Sequence, residues 1–175
     1  HKDDGFDFWI EMPPHGLVQG EDYLFGGPGG NRLEREPRGS FSGLVYDYTR
    51  IVRTSVSDRY AKSLPANTIR GVMPSWDNTA RRGDKAHIAY GANPASFNLW
   101  LRSLAETGLH RSYRGELFVN AWNEWAEGAV LEPDAARGYA WLSATRDALS
   151  LPTSPPRRPC VVVHAWYPDV LGELL

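Results

Sequence analysis

The chain is poor in sulfur and in net charge: its 175 residues include one cysteine and two methionines, and 19 Lys+Arg stand against 21 Asp+Glu for a formal charge of −2. The lone Cys160 excludes an internal disulfide. The five histidines are scattered, with no Cys/His pair at ligand spacing, so no metal is expected and packing must hold the fold. Near-neutral charge excludes a basic nucleic-acid scaffold steered by its own field. No run approaches the roughly 20 apolar residues of a membrane span. The opening HKDDGFDF lacks the basic-then-apolar order of a signal peptide. His1 opens straight onto what reads as a core strand, so the chain is expected to be a piece of a longer one whose missing signals say little about localisation, a cytoplasmic one being favoured.

Aromatic residues are abundant: 7 Trp, 8 Tyr and 6 Phe in a chain that is 42% hydrophobic and 23% charged. That balance predicts a folded chain with one core. It also suits sugars, because a pyranose lays its C–H face on an aromatic ring while its hydroxyls bond to acids and amides.

Four segments share one pattern, a short apolar strand followed by a polar Gly/Pro-rich stretch and, in three of them, a helix. The strands are expected at Gly5 to Met12 (GFDFWIEM), Gly43 to Tyr48 (GLVYDY), Thr68 to Met73 (TIRGVM) and Glu116 to Trp122 (ELFVNAW). Behind the second, Ile51, Val52, Val56 and Tyr60 recur at helical spacing before Pro65. The clearest helix follows the third. Asn93 suits an N-cap and Pro94 the first helical position, with Phe97, Trp100, Leu101 and Leu104 spaced along one face and Gly108 at the end. A third helix is expected from Gly138 to Ser150. The alternation predicts an α/β fold with a parallel sheet.

Acids and amides cluster where each strand ends: Glu11, Asp47, Asp77 with Asn78, and Glu124 with Glu127. In α/β barrels and open sheets the working groups lie at the carboxyl ends of parallel strands. Pro-rich residues 152–159 read as a stiff linker. Residues 160–175, CVVVHAWY and PDVLGELL, read as the start of a second, truncated α/β domain.

The sharpest feature is Asn120-Ala-Trp-Asn-Glu-Trp-Ala-Glu-Gly128. Residues i and i+3 of a continuing strand face opposite ways, so Glu124 and Glu127 share a site only if the chain turns after Trp122. Paired carboxyls divide the labour, one protonated as general acid and one charged, above all against desolvating rings such as Trp122 and Trp125. That suits cleavage of a glycosidic bond. Solvated charges on a loop are the plainer alternative. Upstream, Trp76 can stack on a sugar while Asp77 and Asn78 bind hydroxyls, unless Ser75–Thr79 is only a capped turn. Arg81-Arg82 can take a phosphate or uronate, or remain solvated. Glu11 with His15, and Asp47 with its flanking tyrosines, are candidates for the mouth. Gly26–Gly30 lacks the Gly-Lys-Ser/Thr ending of a phosphate cradle, so no nucleotide cofactor is expected.

WNEWAEG followed by LEPD and GYAWL, with GVMPSWDNTARR and FWIEMPPHG upstream in matching order, resembles the C-terminal half of the WbsX family, which is similar to glycoside hydrolase family 99. The resemblance spans residues 5–149 and implies that residues 1–151 are the C-terminal half of a (β/α)8 TIM-type barrel. It implies bacterial surface polysaccharide or O-antigen synthesis, with an oligo- or polysaccharide substrate and glycosyltransferase domains in the same or a neighbouring chain. The related retaining endo-α-mannosidases carry their catalytic glutamates in a NEW-x-EG motif, which maps onto Asn123, Glu124 and Glu127. There Glu124 would act as base on the sugar's 2-hydroxyl, forming a 1,2-anhydro intermediate, and Glu127 as general acid then base. Ala126 stands where those hydrolases have a larger polar residue. The tail resembles the start of a rhamnan-synthesis F type domain. A non-catalytic glycan-binding barrel and a glycosyltransferase remain the alternatives.

Overall fold

The computed structural model describes residues 5–37, 39–108 and 111–150, together with the backbone of 160–163. The predicted linker at 152–159 and most of the predicted second domain, 164–175, lie outside the described residues. The chain runs β1 (Trp9–Ile10), β2 (Tyr23–Phe25), β3 (Leu44–Asp47), α1 (Tyr48–Val56), α2 (Asp58–Ser63), β4 (Thr68–Val72), α3 (Thr79–Arg82), β5 (His87–Tyr90), α4 (Pro94–Ser103), β6 (Glu116–Val119), β7 (Asn123–Glu124), β8 (Ala129–Val130), α5 (Ala140–Leu149) and β9 (Cys160–Val163).

Helix starts follow local chemistry. The Asp47 carboxylate accepts from Thr49 N at 2.9 Å and Arg50 N at 3.2 Å, capping α1. The predicted single helix behind β3 is two, because Ser57 turns extended, ends α1 and caps α2. Asn93 caps α4 through a 3.0 Å bond from Ser96 N, with Pro94 at the helix start. Phe97, Trp100 and Leu101 turn inward as their spacing predicts, and a π-helical turn, Leu104–Gly108, follows.

The fold is mixed α/β with a parallel sheet, in the order β1-β4-β6-β9 with every neighbouring pair parallel. All five residues of β4 are buried at its centre. A Cβ on Gly71 would lie 2.0 Å from Glu11 O, so only glycine lets β1 pass there. A second sheet runs β2-β3-β5, with β3 parallel to β5. The strand order therefore departs from a sequential arc of barrel staves: β3 pairs with β5, and β1 pairs directly with β4. His87–Tyr90, a strand that the sequence pattern does not predict, takes one edge of β3, and β2 takes the other. Helix α4 packs on α5, with Phe97 edge-on to Trp141 at 5.7 Å and Asn98 Nδ2 donating to Ala144 O at 2.7 Å. Among the described residues no helix is long and apolar enough to cross a membrane.

Candidate functional site

The turn that the paired glutamates require is present. After β6 the chain forms the β7–β8 hairpin, with Glu124 opposite Ala129. Trp125–Glu127 makes one 3-10 turn, closed by Gly128 in the left-handed region at φ 62°. Glu124 stands just before this turn, at the end of β7, and Glu127 is its last residue. The hairpin tip docks on the strap 75–78: Asp77 N donates to Glu127 O at 2.8 Å, and Ser75 Oγ donates to Gly128 O. A Cβ on Gly128 would fall 2.7 Å from Asp77 O, so glycine serves both the turn and the close approach. The strap is anchored in turn on β5, where Ala89 N donates to Trp76 O at 2.8 Å and His87 N donates to Asn78 Oδ1 at 2.7 Å. Two motifs distant in sequence thus form one platform.

Glu127 lines a cavity of about 240 Å³ together with Trp76, Asn78, Arg81, Arg82, His15 and His87. Its carboxylate accepts from Arg81 Nη2, and its side chain is 17% exposed. On the other side of Trp76 lies a cleft of about 350 Å³ bordered by Asp77, Trp125, Tyr90 and Arg137. Trp125 is half exposed, and its indole N–H donates to Glu132 Oε2 at 2.8 Å, which fixes the ring and leaves it accessible. Glu124 is half-buried, and among the described residues its carboxylate has no hydrogen bond or ion pair.

The remaining predicted residues divide. Trp76 and Trp122 are buried, and their indole N–H groups lack a partner among the described residues. Asn123 is buried in β7. Asp77 spends Oδ1 on Thr79, accepting from its N–H at 2.9 Å and from its hydroxyl, the capped turn foreseen as an alternative. Asn78 is buried, with its carbonyl occupied by His87. Asp47 caps α1 and borders a separate hollow of about 820 Å³ that also takes in Tyr90 and Arg35.

Glu11 lies in the core and not at the mouth. Its Oε2 accepts from Arg70 Nε at 2.8 Å and Gly71 N at 3.0 Å, and its Oε1 from Tyr60 hydroxyl at 2.7 Å. Arg70 reaches on to Ser55, whose Oγ also accepts from Trp100 Nε1 at 2.9 Å. Burial and the adjoining Glu11 carboxylate push the Tyr60 hydroxyl well above its ordinary range, leaving it a proton donor within this network.

Around Glu127 the structure gathers His15, a candidate from the sequence, and His87, which sequence reasoning passed over. His15 stands edge-on to Trp76 at 5.4 Å, and His87 edge-on to Tyr46 at 6.1 Å. Burial first, then the positive charge of Arg82 and the neighbouring His15, pulls His87 below its ordinary value of 6.5. Among the described residues no cluster of three or more His, Cys, Asp or Glu is placed to hold a metal.

A protein-family model described as "Glycosyltransferase WbsX" matches residues 2–145. Two curated relatives, each called "Uncharacterized protein WxcX", come from strain B100 and a second strain of Xanthomonas campestris pv. campestris. Each is 42% identical over 187 residues, covering 99% of this chain and 24% of the relative. The chain thus spans about a quarter of the length of these relatives. No solved structure matches it significantly.

Proposed function

The chain belongs to the WbsX family, and from that premise we propose that it is part of a glycan-active protein of bacterial surface polysaccharide biosynthesis, with Glu124 and Glu127 acting on a glycosidic bond. One observation carries the proposal. The hairpin tip is clamped on the strap, so that Glu127 walls a cavity beside Trp76 while the fixed ring of Trp125 offers a stacking surface next door. The same reading makes residues 1–151 the C-terminal half of a (β/α)8 barrel that the rest of a longer chain completes.

In the mechanism Glu124, whose carboxylate is uncommitted, takes the proton of the sugar's 2-hydroxyl as that oxygen attacks the anomeric carbon. Glu127 gives a proton to the departing oxygen. Water, or a second sugar's hydroxyl, then attacks the anomeric carbon and opens the three-membered ring: Glu127 takes the proton of the attacking hydroxyl and Glu124 returns its own to the sugar's 2-oxygen, with net retention of configuration. Because Arg81 holds Glu127 in the unliganded protein, substrate must displace that guanidinium before Glu127 can serve as acid.

Transfer in place of hydrolysis is the second reading, favoured by the description of the family model and by one structural feature. The 820 Å³ hollow meets the Trp125 cleft at Ile88, Tyr90 and Gly91, adjoining space for an acceptor sugar. The test is turnover of the host's own surface polysaccharide by the full-length protein. Glu127→Gln should abolish turnover and spare affinity, whereas Trp125→Ala should weaken affinity. If the wild-type protein binds the polymer without turning it over, the site is a glycan holder for a neighbouring transferase.

A further inference from the structure

The cavity beside Glu127 holds an imbalance of charge and of hydrogen-bonding capacity. Two guanidiniums, Arg81 and Arg82, face one carboxylate, Glu127, and the imidazoles of His15 and His87 share the same wall. Arg81 is committed to Glu127. Arg82 has no acceptor for its guanidinium among the described residues, although it stands close enough to His87 and Tyr46 for its charge to act on both. Asn78 Oδ1 already takes the His87 backbone N–H, which leaves the Tyr23 and Tyr46 hydroxyls and Glu127 as the acceptors that line the cavity. Arg82 is exposed, so a neutral sugar bound over it would displace the water around a planar five-donor group and return few acceptors in exchange.

We propose that this cavity receives an anionic group carried by the glycan, a carboxylate or a phosphate, with Arg82 as its fork-shaped counter-cation. The inference rests on the reading of Glu127 as a glycan-site carboxylate and adds the substrate class: an acidic polysaccharide, or one decorated with phosphate. The anion would sit among Arg82, His15 and His87 while Trp125 stacks a neighbouring ring. Its arrival supplies the second anion that lets Arg81 leave Glu127 without losing a charged partner.

The test is calorimetric titration of the full-length protein with five probes: tetragalacturonate, its carboxyl-reduced neutral counterpart, glucose 1-phosphate, glucose and inorganic phosphate. The uronate tetramer should bind roughly tenfold or more tightly than the reduced one, the worth of a charge-assisted hydrogen bond. Arg82→Gln should erase that preference without changing affinity for the reduced tetramer, and Arg82→Lys should restore part of it. If the gain attaches to glucose 1-phosphate over glucose instead, the anion is a phosphate. Equal binding of the two tetramers, with no gain for glucose 1-phosphate, overturns the inference and leaves the glycan site standing, as does a preference that survives Arg82→Gln. Inorganic phosphate binding while no sugar binds overturns both.

Discussion

Replacing Glu11 by alanine separates a core role from a place at the mouth. The Glu11 and Arg70 side chains are 4% and 2% exposed, and the carboxylate accepts from Arg70 Nε, Gly71 N and the Tyr60 hydroxyl. Truncation leaves the guanidinium buried without its counter-ion and two further donors unpaired. Breaking a buried pair by removing one partner costs about 3–5 kcal/mol. For a chain of this size that lowers Tm by about 6–20 °C, at about 2–4 °C per kcal/mol. The assay is thermal unfolding followed by circular dichroism, alongside glycan binding at a temperature where the variant stays folded. Joint replacement, Glu11→Leu with Arg70→Met, should recover most of the loss, because it leaves no charge stranded. A Tm change below about 2 °C with lost glycan binding would refute the reasoning and return Glu11 to the substrate.

Other perturbations test other parts of the frame. Gly71→Ala forces a Cβ to within 2.0 Å of Glu11 O, so it should cost about 1–3 kcal/mol or more in chemical denaturation. Asn93→Ala removes the α4 cap and should cost about 1 kcal/mol by the same measurement. His87 sits below 6.5 in the folded protein, so as pH falls past 6.5 the unfolded chain takes up a proton that the folded one refuses. Its contribution to stability is present above 6.5 and lost as pH drops toward the folded value, and His87→Gln should flatten that slope in unfolding curves taken across the window.

What the sequence disclosed was local. Asn93-Pro94 and the spacing of Phe97, Trp100 and Leu101 carry their own helix, and Gly128 after two carboxylates signals its own turn, because capping and turn chemistry act within a few residues. What it hid was pairing across the chain. Glu11 looks like an acid at a strand mouth until Arg70, 59 positions on, is seen to claim it. Arg81 reads as a solvated cation until the fold brings it to Glu127, 46 positions away. The strand His87–Tyr90 escaped because four residues give too short a pattern, and its pairing with β3 departs from the stave order that the family resemblance implies.

The most direct measurement is a crystal structure of the full-length protein with a fragment of its host's surface glycan. A sugar ring should lie against Trp125, with a hydroxyl or glycosidic oxygen within hydrogen-bond distance of Glu127 and with Arg81 moved off that carboxylate. A glycan seated elsewhere, with Arg81 still paired to Glu127, would contradict the account.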